Sequence, residues 1–237
     1  MIIDSHVHIG RPPPEADPDK FVELLKKSNI DRAIAFRYVY GKPTLIGNQL
    51  IRSAVSRYPD SLIGFAWIAP NDETAISEIR TTISCWQFKG IKLHMEIAPT
   101  SINRLGEVFR EAEKSSVPIC IHVGEDFKLL DDLCGKYDVD VIMAHLGTGV
   151  YNLDPKRLEG ALELSEKHDN VYMETSGNTF FFIEQAVKRL APSKILFGSD
   201  FPHEHPLVMV KSIELLELSK KDRNLILGEN ISRLIGS

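Results

Sequence analysis

The chain has 237 residues, 43% of them hydrophobic and 26% charged, ordinary globular values that exclude collagen, coiled coil and wholesale disorder. The length suits one large domain with a real core, and we read residues 1–237 as a single domain. With 28 basic against 33 acidic residues the formal charge is -5; no basic block is present to neutralise phosphates, so nucleic acid is not an expected partner.

Short apolar runs alternate with amphipathic stretches along the chain, the pattern of parallel strands joined by crossover helices. Met1 to His8 reads as the first strand, followed by a stiff Pro-rich loop from Arg11 to Pro18 that suits part of a lid. Asp17 caps a helix with Pro18 in its first turn and Phe21, Leu24, Leu25 and Ser28 on one face. Asp31 to Arg37 is the second strand, and Leu50, Ile51, Ala54 and Val55 mark the next helical face. Leu62 to Ile68, Phe88 to His94, Val117 to Val123 and Val139 to His145 supply strands three to six, several of them continuous apolar runs, as strands buried on both faces are. Asp154 and Pro155 open a helix whose inner face is Leu158, Ala161, Leu162 and Ser165. Asn170 to Ser176 and Lys194 to Ser199 complete the strands, and LLELSKKDRNLILGENISRLI reads as helices, the last opened by Glu229 or Asn230. Eight βα units of about 30 residues each predict an α/β fold, a compact (β/α)8 barrel.

No run approaches the roughly 18 apolar residues of a membrane span. The opening MIIDSHVHIG has an acid and two histidines where a signal peptide is basic and then apolar. Cys85, Cys120 and Cys134 are too few and too scattered for a disulfide framework, and an odd count suits a reducing, cytoplasmic location. Cys120, two residues before His122 on the same strand face, is expected to fill the barrel interior and not to act as a nucleophile.

The histidines carry the chemistry. His6 and His8, two apart at the end of the first strand, point the same way. His94, His122 and His145 end the fourth, fifth and sixth strands, and Asp200 follows the eighth. A barrel gathers the C-terminal ends of its strands around one mouth, so residues nearly two hundred positions apart converge there. A lone His-x-His is common by chance, histidines also end strands as hydrogen-bonded core residues, and Asp200 alone could cap a helix. Several imidazoles with a carboxylate in one mouth form a zinc-type ligand set with room for water.

These residues also carry a family resemblance. DSHVH, GIKLH, IHVG, AHLG, LFGSDFP and the closing GENISRLI resemble, in order along the whole chain, the amidohydrolase superfamily, in particular the amidohydrolase-related group that includes aminocarboxymuconate semialdehyde decarboxylases and pyrone dicarboxylate lactonases. The resemblance implies that His6, His8, His122 and Asp200 bind a divalent metal, one zinc in the first instance, with manganese or another transition metal as the alternative. It also implies that His145 stands beside the metal-bound water, orienting it or polarising the substrate. Asp200, a ligand as well, is the candidate to take the water's remaining proton and return it to the leaving group.

Lys92 has two readings: a carboxylated bridge between two metals, as in binuclear members of the superfamily, or an unmodified lysine in a salt bridge or on a substrate carboxylate, which we prefer. His94 shares its strand face and either hydrogen-bonds substrate or supports a neighbouring ligand. Arg11, Arg37 and His203, the last beside Glu204 and His205, follow strand ends and are substrate-binding candidates, the arginines suiting a carboxylate. Trp67 is a pocket wall or core, and Phe180 to Phe182 are a lid or a packing face.

The expected activity is metal-dependent hydrolysis of a C–O or C–N bond in a lactone, ester or amide of a small, carboxylated metabolite. The alternative is nonoxidative decarboxylation of a small carboxylic acid. Some decarboxylases of the group carry glutamate in place of the first histidine, and His6 favours the hydrolase. An inert barrel is disfavoured because every chemical position is filled, and a phosphoesterase because Lys92 stands where an acid is usual. The expected partner is a small molecule, not a membrane; a homodimer is compatible with the sequence.

Overall fold

Strands that are apolar on both faces need a hydrogen-bonded neighbour on either side and a helix over the back. The computed structural model describes residues 1–10, 16–37, 45–97, 100–124, 127–150 and 152–236. In it, parallel strands β1 (Ile3–Ile9), β2 (Arg32–Arg37) and β3 (Leu62–Gly64) pair in that order. A second parallel run comprises β4 (Ala66–Trp67), β5 (Ile91–His94), β6 (Ile119–His122), β7 (Val141–Met143), β8 (Val171–Glu174) and β9 (Ile195–Leu196). β3 and β4 belong to one predicted strand interrupted at Phe65, whose N–H still donates to Ala35 O at 3.1 Å. At the other gap Ser5 N–H donates to Phe197 O (3.0 Å), Asp200 N–H to His6 O (2.8 Å) and His8 N–H to Phe201 O (2.7 Å). With both gaps tied, the architecture is the predicted (β/α)8 barrel.

The helix starts follow the expected chemistry. Asp17 accepts from Asp19 N–H at the head of α1 (Pro18–Lys27) and Asp154 from Lys156 N–H at the head of α6 (Pro155–Lys167), each with proline in its first turn. Leu158, Ala161, Leu162 and Ser165 of α6 are buried, as their spacing predicts. α2 (Leu45–Arg57) departs from its predicted face: Ile51 and Ala54 are buried, but Leu50 is 48% exposed. The inward position goes to Asn48, whose amide donates to Trp67 O (2.9 Å) and Glu78 Oε1 (2.6 Å) and accepts from Trp67 N–H (2.9 Å). A polar side chain with every partner supplied replaces an apolar one, and hydrophobic periodicity does not register it.

One apolar core lies between the strands and the surrounding helices. A second fills the barrel interior with Ile3, Ile34, Phe36, Ile63, Phe65, Cys120, Ile142 and Leu196, joined from below by Ile231 and Ile235. Cys120 thus packs where expected. Asn230, which opens α10 (Asn230–Leu234), is fully buried and donates to Pro192 O (2.8 Å) and Ile195 O (2.9 Å), fixing this plug against the start of β9.

The interior has no slack beside Gly90, where a Cβ would run into the ring of fully buried Phe65. Gly90→Ala is expected to destabilise the barrel by about 1–3 kcal/mol through overpacking, lowering Tm by about 2–4 °C per kcal/mol for a chain of this size. Thermal unfolding followed by circular dichroism checks this, and an unchanged Tm would show that the ring can move aside freely.

Candidate metal and active site

The strand ends bring imidazoles together, and hydrogen bonds on their outer edges orient them. His6 Nδ1 lies 3.0 Å from Glu174 Oε2, and His8 Nδ1 lies 2.9 Å from Arg37 O. His145 Nδ1 lies 2.9 Å from Ser176 Oγ and 3.2 Å from Ser176 O. Because Ser176 Oγ donates to Glu174 Oε2 at 2.7 Å, it accepts from His145. These acceptors place the proton of each neutral ring on Nδ1 and leave a lone pair on Nε2. Burial, helped by the charge of Lys92, holds His6 well below the ordinary histidine value. Burial likewise brings His145 down to about 4 and His94 to about 3, and drives His122 far down with help from His145 and His94.

The inner edges then meet at their Nε2 atoms. His6 Nε2 and His8 Nε2 are 3.2 Å apart, and Asp200 Oδ1 lies 3.5 Å from the first and 3.2 Å from the second. Burial alone would raise the Asp200 carboxyl, but contact with His8 and its other histidine neighbours, His145 and His203, bring it below its ordinary value. Both Asp200 oxygens and His122 Nε2 are buried without a hydrogen-bond partner. Ligand atoms of His6, His8 and Asp200 lie within 4.8 Å of one another. Two imidazole nitrogens, a carboxylate and an unpartnered third imidazole nearby fit a divalent transition metal. His122 stands beside this group: its ring stacks on His94 (3.9 Å between centroids, 12° between planes) and lies 4.9 Å from that of His145.

Glu174 offers a second grouping with His6 and His145, but its oxygens are already occupied. Besides His6 and Ser176 Oγ it faces the N–H groups of Ser176 (2.6 Å) and His145 (3.3 Å). Burial pushes its carboxyl up to about 8 against the pull of those donors. It therefore orients two histidines from behind. Gly198 makes the room, since a Cβ there would collide with Glu174 Oε1. Asp4 ties the DSH and GSD segments together, accepting from His6 N–H (3.1 Å) and Ser199 N–H (2.9 Å); burial raises it to about 7. His145 (φ 57°) and Asp200 (φ 59°) are both left-handed, a strained state for residues with a Cβ that is common at functional sites. The turn at His145 is why β7 ends at Met143 and does not run on to His145 as predicted.

The other predicted residues separate into those near the mouth and those away from it. Lys92 is buried one register below the histidines: it pairs with Cys120 as His94 pairs with His122. Its Nζ lies 3.7 Å from Cys120 Sγ and 5.2 Å from the Phe36 ring centroid. His94 Nδ1 accepts from Ile97 N–H at 3.3 Å, so its proton sits on Nε2. Arg37 gives the site its carbonyl oxygen, while its side-chain stem lies against Gly47 of α2. His203 is exposed, and its N–H donates to Asp200 O at 2.9 Å. Arg11 lies outside the described residues. His205 caps α8 (Pro206–Glu214), accepting from Leu207 N–H. Trp67 is buried near the rings of His8 (6.2 Å) and His94 (6.4 Å), its Nε1 lacking a hydrogen-bond partner. Phe180 and Phe181 are exposed and Phe182 is buried.

Sequence reasoning missed Glu174, Ser176, Asp4, Glu96 and Arg157. Glu174 could have been found, because it lies two residues before the end of the seventh predicted strand, Asn170 to Ser176, and so near the mouth where the histidines stand. Arg157, on the first turn of α6, gives no such signal; its Nη2 donates to Val123 O (3.1 Å) and Gly124 O (3.2 Å) at the end of β6.

Among curated proteins none matches the chain by sequence. Several solved structures share its fold. A probable 2-pyrone-4,6-dicarboxylic acid hydrolase from Acinetobacter baumannii, with citric acid bound, superposes with a TM-score of 0.78 at 20% identity, covering 100% of this chain and 99% of that one. A 5-carboxyvanillate decarboxylase from Novosphingobium aromaticivorans with bound manganese gives 0.79 at 16%, covering 100% and 97%. A 4-oxalomesaconate hydratase from Rhodopseudomonas palustris gives 0.74 at 17%, covering 100% and 96%. At such identities the likeness establishes the common barrel, and the three reactions differ. The model of the family described as Amidohydrolase matches residues 3–236, almost the whole length, and the chain belongs to the amidohydrolase family.

Proposed function

We propose that this chain is a metal-dependent hydrolase that cleaves a C–O or C–N bond of a small, carboxylated metabolite. The observation that carries the reading is the meeting of the His6 and His8 Nε2 atoms with Asp200, whose buried oxygens have no hydrogen-bond partner. His6, His8, Asp200 and His122 would hold one divalent cation, zinc first and manganese second. Such a cation supplies Lewis acidity, polarising a carbonyl oxygen and making water nucleophilic near neutral pH.

The chain's own groups divide the remaining work. Asp200 accepts a proton from the attacking water and returns it to the leaving atom. His145, its Nδ1 proton committed to Ser176, has only an acceptor to offer at Nε2; this suits orienting water and not donating to an oxyanion. Donors for that oxyanion stand elsewhere, at His94 Nε2 and at the unpartnered Trp67 Nε1. Lys92 adds positive potential from beneath. Nonoxidative decarboxylation is the second reading, supported by the likeness to a manganese-containing decarboxylase. The substrate is a small molecule, the proposed location is the cytoplasm, and no helix among the described residues is long and apolar enough to cross a membrane.

Purified protein is expected to carry about one equivalent of transition metal per chain, measured by elemental analysis. Changing His6 and His8 together to Ala should abolish the metal and leave the helical dichroism intact, whereas wild-type protein holding only traces after reconstitution sinks the site. Glu174→Gln places an amide against the donors that Glu174 now satisfies, so metal affinity should fall by about 10–100-fold; unchanged affinity would remove Glu174 from its orienting role. Asp200→Asn keeps an oxygen but cannot carry the proton, and turnover should drop at least about a hundredfold even where metal is retained. Screening lactones, amides and carboxylated aromatic acids in ¹⁸O-labelled water separates the two reactions. Label in a product carboxylate supports hydrolysis; CO₂ release with solvent hydrogen on carbon establishes decarboxylation.

A further inference from the structure

We infer that Lys92 and Cys120 form an oxidative modification site: peroxide converts the thiol to a sulfenic acid, and the Lys92 amine condenses with it into an S–N bond joining β5 to β6. The two residues are register partners on neighbouring parallel strands, one layer below His94 and His122. Each is only 1% exposed, and Lys92 Nζ lies 3.7 Å from Cys120 Sγ. A buried lysine is ordinarily paired with an acid. Among the described residues Lys92 makes no ion pair; its ammonium meets the sulfur and the face of Phe36, 5.2 Å from the ring centroid.

The surroundings leave a sulfenic acid at Cys120 one partner. Such an acid condenses with a second thiol or with a nitrogen, or is oxidised further. Cys134 packs in the layer between strands and helices and Cys85 is exposed, so neither shares the barrel interior with Cys120. β6 is paired on both edges, with β5 and with β7, so its backbone amides are engaged in the ladders. The Lys92 amine is the nitrogen within reach. In the first step the sulfur attacks one oxygen of hydrogen peroxide and the O–O bond breaks; sulfur loses the two electrons that peroxide gains, giving the sulfenic acid and one water. The Lys92 nitrogen then displaces hydroxide from sulfur. The S–O bond breaks as the S–N bond forms, one nitrogen proton leaves with the hydroxide as water, a second passes to solvent, and the buried positive charge is lost. Burial pushes the Cys120 thiol up to about 11, so the first step is slow and the pair rests reduced. Toward substrate Cys120 remains a packing residue. Loss of the charge removes the potential that Lys92 adds beneath the histidines; that consequence rests on the reading of the mouth given above, whereas the link itself does not.

The test is peptide mapping by mass spectrometry of zinc-loaded protein held in excess hydrogen peroxide, then unfolded with an alkylating reagent and digested with trypsin, with zinc content measured on each sample. Peptides 90–104 and 115–128 should appear as one species, lighter than their sum by two hydrogens, any oxygen on Met95 aside, with fragmentation placing the bond at Lys92 and Cys120. Dithiothreitol added to the unfolded protein should restore the thiol and tryptic cleavage after Lys92, since thiols reduce the S–N bond at the expense of their own disulfide. Lys92→Met keeps the stem and removes the amine, and should carry Cys120 on to sulfinic acid; Cys120→Ser should leave Lys92 unmodified and cleaved. If the Lys92 variant does not fold, the wild-type map decides alone. The inference is overturned if Cys120 is still alkylated as a free thiol after treatment that has oxidised all of the exposed Cys85, or if wild-type Cys120 reaches sulfinic acid with Lys92 still cleaved. Protein that forms the link but never holds zinc would retire the metal reading and keep this one, and zinc-loaded protein that forms no link would do the reverse.

Discussion

A carboxylate buried at the end of β8 faces four donors, and the arrangement at the mouth follows from how Glu174 is satisfied. Removing a carboxylate from water is unfavourable unless hydrogen bonds replace the lost solvation. The groups that replace it here are the same groups whose orientation matters for chemistry. The Nδ1 edge of His6 turns outward to meet Glu174, and Ser176, held by Glu174, in turn holds the Nδ1 edge of His145. One acid on the seventh stave of the barrel thus sets the ring orientation of histidines on the first and the sixth. Gly198 on the eighth makes this geometry admissible, since any side chain there would occupy the acid's place.

The charges inside the barrel are unbalanced in a way that favours a cation. Asp4, Glu174 and Asp200 are all buried, and Lys92 is the buried cation among the described residues at this level. Burial has already moved Asp4 to about 7 and Glu174 to about 8, close to neutrality. A divalent ion beside them would favour their ionised forms, and metal binding of this kind releases protons. Lys92 acts in the opposite sense on the histidines: its charge joins burial in lowering His6 and His94, so their rings stay neutral and able to donate lone pairs.

Much of this was legible in the sequence because barrel topology performs the convergence. Strands buried on both faces read as unbroken apolar runs, and a histidine at the end of such a run, as on the first, fourth, fifth and sixth, is placed at the mouth whatever the details of packing. Proline-assisted caps at Asp17 and Asp154 are local chemistry and were equally plain. The features that escaped are those in which a polar group satisfies another polar group. Asn48 takes an inward position on α2 because its amide has three partners, and Leu50 is displaced outward. Arg37 was picked out for its guanidinium, whereas what it gives His8 is its carbonyl, a group every residue has. Glu174 looks like any acid until the rings that need it are placed, and Arg157 approaches from a helix whose spacing says only which face is apolar.

The seam between the first and last staves has a consequence for how the molecule is made. Ser5 Oγ bonds Phe197 O across 192 positions, and Asp4 bonds Ser199 N–H across 195. The plug of Ile231 and Ile235 lies still further along, and Gly228 packs directly on the carbonyl of Met1. Contacts of such sequence separation carry the full entropy of loop closure before they return anything, and they slow folding. On a ribosome, β1 must wait with one edge unpaired and the barrel interior open until nearly the whole chain has emerged. The exposed edge and unfilled interior of that waiting state are the features that promote aggregation. The residues that assemble the mouth are therefore the same ones that leave the nascent protein longest in need of protection.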